Sequence, residues 1–321
     1  MRIAAFDDGK LGVVAHDDTL VDCTDLVQRY KPLGPADLLP DLITHFDALR
    51  PDLERRATAG GGRSLNEARL HSPLTRPSKI VCLVGNYREG TDRPLQILDL
   101  FFKSPEGISG PDDTVVLPPH QADIFHHEAE LAVVIGREAK DLSEAEAMDA
   151  IFGYVVYNDV SARGLGRAGI NSFLGKSFDT FAAFGPWVVT KDEIPDPQAL
   201  SVTVDVNGER RQDYTTSDME RPVRELLTYI SSVTTLHPGD VICCGTNHQG
   251  LGSMQDGDAV VTTISGIGAF TIHVRDDHAR AWQRGVDREM AARVRASAQH
   301  PAAQTPIATE AHAQESGGNA P

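Results

Sequence analysis

Two glutamates and two histidines crowd into the stretch HHEAELAVVIG, residues 126–136. Strand side chains alternate between faces, so Glu128 and Glu130 project to one side about 7 Å apart, with His126 in line before them. Leu131, Val133 and Ile135 then point the other way. Two carboxylates so close repel each other and cost free energy to desolvate unless a positive charge lies between them. A second acidic feature, YVVYNDVSARG at 154–164, ends an apolar strand in Asn158-Asp159 and passes into a turn of small residues. Asp159 can complete a three-carboxylate oxygen site with Glu128 and Glu130, a donor set that suits Mg2+, Mn2+ or Ca2+ better than zinc.

The elements that must position these acids are mostly strands. TVVLPP, EAELAVVIG, IFGYVVYNDV, GPWVVT, LSVTVDVNGE, DVICCGT, DAVVTTIS and AFTIHV are β-rich and bounded by Gly, Pro, Asp or Asn. VNGE predicts a hairpin turn and HPGDVI a turn feeding a buried strand. The clearest helices are SEAEAMDAIFG, opened by a serine cap, and VRELLTYISSVTTL. The fold class expected is α+β and β-rich, with a mixed or mostly antiparallel sheet.

Four segments are expected along the chain. Residues 1–70 read as a small N-terminal α+β domain whose helical stretch, Asp37 to Thr58, stops at the glycines of AGGGR. A proline-containing connector leads into the main body at 76–275. Residues 276–299 read as a charged helical extension, and 300–321 as a disordered polar tail.

Composition excludes several function classes. The 321 residues are 40% hydrophobic, enough for a substantial core, and carry a formal net charge of −16, which argues against nucleic acid or anionic lipid as a partner. No apolar run has the length needed to cross a bilayer, and the start lacks the pattern of a secretory signal, so a soluble cytoplasmic protein is expected. The cysteines at 23, 82, 243 and 244 show no CxxC spacing and read as structural thiols.

The ordered runs FFKSPEGISGPDDTVVLPP, EAELAVVIGREAKDLSEAEAMDAIFGYVVYNDVSAR, GKSFDTFAAFGPWVVTKDEIPDP, VNGERRQDYTTSDM and LHPGDVICCGT resemble the fumarylacetoacetate hydrolase family over about residues 76–275. The first 70 residues are similar to the small N-terminal domain that many members carry. The resemblance implies a core of rolled mixed β-sheets, a homodimer, bound Mg2+ or Mn2+, and a small 2-oxo or 1,3-diketo acid as substrate. It makes Glu128, Glu130 and Asp159 the metal ligands and puts Lys176 at the substrate, where its charge would stabilise an enolate or oxyanion. Thr246 would line the pocket, Lys103 would touch substrate, Asp179 would orient Lys176, and Arg163 would be structural around its turn.

One departure from the family pattern bears on the reaction. Its hydrolases carry a histidine after the glycine-asparagine-tyrosine stretch and a glutamate three residues on, and this pair activates water. Here GNYREGTDRP puts Gly90 and Arg93 at those positions. Replacement bases are His126, His248 in GTNHQG, or Glu89 on a segment expected to be a mobile lid. The expected activity is metal-dependent hydrolysis of a carbon–carbon bond in a fumarylacetoacetate- or acylpyruvate-type acid. The alternatives are a decarboxylase, dehydratase or oxo-enol tautomerase of the same family, and a catalytically silent homologue that binds metal and oxo acid.

Overall fold

Three neighbouring strands, Ala129–Ile135, Ile151–Asp159 and Ala182–Thr190, carry almost uninterrupted apolar sequence because both of their faces are covered. They run antiparallel in the interior of a twelve-stranded sheet. Leu131, Val133 and Ile135 pack into one core with Val202, Val204, Leu226 and Ile230, while Ala132 and Val134 pack into another with Leu26, Leu42 and Leu53. The face expected to be acidic is therefore apolar beyond Glu130. The computed structural model describes residues 1–91, 94–165 and 173–297.

Layers follow from these two cores. On one side lie the helices Thr24–Gln28, Leu38–Thr44 and Phe46–Ala59, and on the other a five-stranded sheet with the helix Val223–Val233. The N-terminal strand Arg2–Phe6 pairs with Ala182–Thr190, Arg2 opposite Val189, so residues 1–70 extend the central sheet as well as covering it. Parallel pairs, such as Ile80–Leu83 with Val241–Cys243, make that sheet mixed. The edge beyond Ile80–Leu83 is the strand Leu100–Lys103.

Local chemistry accounts for the details. Asn207 and Gly208 adopt φ of 51° and 79° and turn the hairpin between Ser201–Val206 and Glu209–Thr215, as the Asn-Gly pair predicts. Ser143 and Glu146 form a reciprocal capping box, but the helix lasts only from Glu144 to Ala147, because the strand Ile151–Asp159 must start four residues later. The single helical stretch expected over Asp37–Thr58 breaks at His45, whose ring stacks on Tyr30 at 3.7 Å, and ends at Gly60 with φ of 72°. After Asp276 the chain is irregular as far as Asp287, and only Arg288–Ser297 is helical. The expected tail, 300–321, lies outside the described residues.

Candidate active site

Sheet register brings the acids together. Ala129 pairs with Asn158 and Glu130 with Tyr157, and the amide of Asp159 donates to the carbonyl of Glu128 at 2.8 Å. One carboxylate oxygen from each of Glu128, Glu130 and Asp159 then falls within 4.8 Å of the others. All three side chains are buried, so their charge must be compensated inside the protein.

Three cations compensate it. The ammonium of Lys176 sits 2.5 Å from Glu128 Oε2 and 2.5 Å from Asp159 Oδ2. Arg163 donates to Glu128 Oε1, and Lys103 to Asp159 Oδ1, which also accepts from the Tyr157 hydroxyl at 2.9 Å. Burial alone would push the Glu128 carboxyl up, but the charges of Arg163 and Lys176 outweigh it and hold that carboxyl below its usual range. Glu130 is the exception. Its Oε2 accepts from the Gly245 amide at 2.8 Å, and burial with the neighbouring charge of Asp159 drives its carboxyl well above the usual range. A converging, all-oxygen donor set with one under-compensated member fits a hard divalent cation, which would relieve Glu130 directly.

Lys103 is not a substrate group. Its side chain is fully buried, and its three donors go to Asp159 Oδ1, the Val160 carbonyl at 3.2 Å and the Phe181 carbonyl at 2.6 Å, which leaves none for a ligand. Asp179 is exposed and makes no ion pair with Lys176 among the described residues, so the expectation that it orients that lysine fails; Glu128 and Asp159 hold the ammonium instead. Thr246 is buried beside Gly245 and accepts from Gln212 Nε2 at 2.8 Å.

The candidate bases separate clearly. His126 is not on the glutamate strand: Phe125–His126 pairs with Ser161–Ala162 in a separate ribbon. Its Nδ1 lies 3.3 Å from Arg163 Nε, and burial with the Arg163 charge keeps the ring neutral. Since Arg163 can only donate, Nδ1 is occupied as acceptor and is not open to take a proton from water. Glu89 and His248, by contrast, meet. Glu89 Oε1 lies 2.7 Å from His248 Nδ1 and accepts the His248 backbone amide at 3.0 Å. The segment expected to be a mobile lid is tied down here: Arg88 and Glu89 donate their amides to Asp218 at 3.0 and 2.9 Å, and Gln249 Nε2 donates to the Glu89 carbonyl at 3.0 Å. Glu89 holds φ of 53°, a costly conformation for a residue with a side chain, kept by those contacts. Gly245, three residues before His248, donates its amide to Glu130, and Gln212 ties the Asn247 carbonyl to the Ala129 amide, which brings the loop of the pair to the acids. Arg93 lies outside the described residues, as does most of the 164–174 loop.

Three supports went unread in the sequence. Arg163, taken for a turn residue, grips Glu128. Gln212 accepts the Ala129 amide at 3.1 Å and donates to Thr246 and to the Asn247 carbonyl at 2.7 Å, joining the acid strand to the loop of His248. Asn158 accepts the Glu128 amide at 3.1 Å. The only signal for the last two was their place within QDYTT and YNDV, polar residues next to apolar strand sequence.

The sequence profile of the fumarylacetoacetate hydrolase C-terminal domain matches residues 79–275. A maleylpyruvate hydrolase of Aquipseudomonas alcaligenes is 34% identical over 294 residues, 86% of this chain and 99% of that protein. The crystal structure of a maleylpyruvate hydrolase from Sphingobium sp. SYK-6, in complex with manganese(II) and pyruvate, superposes with a TM-score of 0.77 at 33% identity, covering 86% of this chain and 99% of that one. An oxaloacetate tautomerase of Bacillus subtilis is 37% identical over 222 residues, 65% of this chain and 73% of its own.

Proposed function

The chain belongs to the fumarylacetoacetate hydrolase family, and from that premise we propose that it is a divalent-metal-dependent hydrolase cleaving a carbon–carbon bond in a small acylpyruvate-type acid. The observation that carries this reading is the Glu89–His248 pair beside the three-acid cluster. It supplies the carboxylate-oriented imidazole whose usual positions, Gly90 and Arg93, lack it.

Glu128, Glu130 and Asp159 would hold Mg2+ or Mn2+, which supplies Lewis acidity to polarise the 2-oxo acid's carbonyl. Glu89 fixes the His248 ring through Nδ1, leaving Nε2 to take a proton from water as the water oxygen attacks the acyl carbonyl. The carbon–carbon bond to the methylene then breaks, its electron pair passing into pyruvate enolate. The proton returns to the methylene carbon, and the products are pyruvate and a second carboxylic acid. Lys176, on a flexible stem and paired with Glu128 and Asp159, is the cation placed to turn toward the enolate oxygen.

An edge strand bearing Phe102, 57% exposed, beside exposed Phe173 and Leu174, supports a homodimer that covers this face. Light scattering should then give twice the 34.7 kDa chain mass, and a monomer would end that reading. The four cysteines are buried free thiols, which supports a cytoplasmic setting. No helix among the described residues is long and apolar enough to cross a membrane.

Product analysis tests the activity. Purified protein with Mn2+ and an acylpyruvate should release pyruvate and the second acid, and a chelator should stop the release. Enol–oxo conversion of oxaloacetate without any acylpyruvate cleavage would instead support the tautomerase reading, which the similarity to the Bacillus subtilis enzyme keeps in view.

A further inference from the structure

Residues 276–287 lie beyond the family match, which ends at 275, yet they strap together the two segments that lead into the site. Toward the acids, Arg280 lays its guanidinium on the Phe125 ring at 4.9 Å and donates to the carbonyls of Pro118 and His120 at 2.9 and 2.7 Å. The Trp282 indole donates to the Asp123 carbonyl at 2.6 Å. Toward the base, Ser253 donates to the Gln283 carbonyl at 2.9 Å, Gly252 bridges to Val286, and the Asp287 amide donates to the Leu251 carbonyl at 2.8 Å. The helix Arg288–Ser297 then packs on the His248–Gly250 turn.

Where the two arms meet, Asp287 Oδ2 lies 4.0 Å from His126 Nε2. His126 is completely buried, and its Nε2 has no hydrogen-bond partner among the described residues. The tautomer follows from Arg163: a guanidinium cannot accept, so Nδ1 carries the lone pair and Nε2 carries the proton, facing the Asp287 carboxylate. Asp287, His126, Arg163 and Glu128 thus form a line from the strap to the first acid of the cluster.

We infer that Asp287 and His126 are positioning residues, through which the C-terminal strap fixes the Arg163 guanidinium and, with it, the oxygen that Glu128 offers to a divalent cation. The inference rests on reading Glu128 as a metal ligand. It gives a role to the histidine of the opening motif that the proposed water activation does not use. Partners of this kind, one step behind a ligand, commonly govern metal affinity by about 10–100-fold. A ring that merely filled space would be replaced well by phenylalanine and poorly by glutamine; an acceptor for Arg163 reverses that order.

The experiment is calorimetric titration of Mn2+ into the full-length wild type, His126→Phe, His126→Gln and Asp287→Ala, with no substrate, beside thermal melts of each. His126→Phe should melt near wild type and lose at least about tenfold in Mn2+ affinity. His126→Gln should lose more stability yet stay within about threefold in affinity, and Asp287→Ala should weaken binding by about three- to tenfold. Wild-type affinity in His126→Phe or in Asp287→Ala would overturn the inference, and if His126→Phe does not fold, Asp287→Ala decides alone. A wild type that binds no Mn2+ would overturn the metal reading underneath, and the two failures are told apart by that first titration.

Discussion

Glu130 and Asp159 hang from two neighbouring strands inside the twelve-stranded sheet, with Glu128 immediately before the first and held to the second by the Asp159 amide, whereas Glu89 and His248 hang from loops 159 residues apart that meet through contacts to Asp218 and Gln249. The acids are placed by backbone register, which cannot shift without disturbing both cores. The base pair is placed by a handful of side-chain and loop hydrogen bonds. A site divided in this way can keep its metal wall while the water-activating groups move from one loop position to another, which is how Gly90 is compatible with hydrolysis.

Glu130→Ala attacks the strand-borne wall. It should abolish Mn2+ binding and lower turnover by about 10³-fold or more, since polarisation of the carbonyl is worth several kcal/mol. Retained Mn2+ affinity in a titration would break the distinction at its root. Lys103→Met asks whether that wall is also structural. Removing the cation leaves Asp159 with one fewer buried partner, and urea denaturation should show a loss of about 3 kcal/mol. A change within error would mean that Lys103 is dispensable to the wall. The smallest effect belongs to the loop side, at the head of the strap. Burial would push the Asp276 carboxyl up, but the Arg280 hydrogen bonds and the amides of His278 and Arg280 outweigh it and hold it below its ordinary 3.8. A carboxyl depressed on folding gives stability that is complete above about pH 4 and fades as pH falls through its lowered value. Asp276→Asn should therefore cost about 1–2 kcal/mol at pH 7 and less at pH 3, read from urea midpoints. An equal gap at both pH values would contradict that assignment.

The same division explains what could be read from sequence. The acid cluster was legible because a strand repeats every two residues, so charged residues in apolar runs announce themselves and their face. Strand alternation also misled, since burial on both faces leaves Ala132 and Val134 indistinguishable from surface positions by period alone. Sequence alone carries the glutamate strand back through His126, because nothing local marks the break at His127 and Glu128. Lys103 reads as a substrate lysine until the carbonyls of Val160 and Phe181 are seen to take its other two donors. Glu89 and His248 were each candidates, but their pairing belongs to the tertiary structure, with no spacing to predict it.

The most direct test of the account uses one sample of His248→Ala, with Mn2+ affinity and acylpyruvate cleavage measured side by side against wild type. Unchanged Mn2+ affinity with cleavage lowered by about 10²-fold or more is the predicted result, because the metal wall stands while the water loses its base. Cleavage at the wild-type rate would contradict it and remove the Glu89–His248 pair from the mechanism.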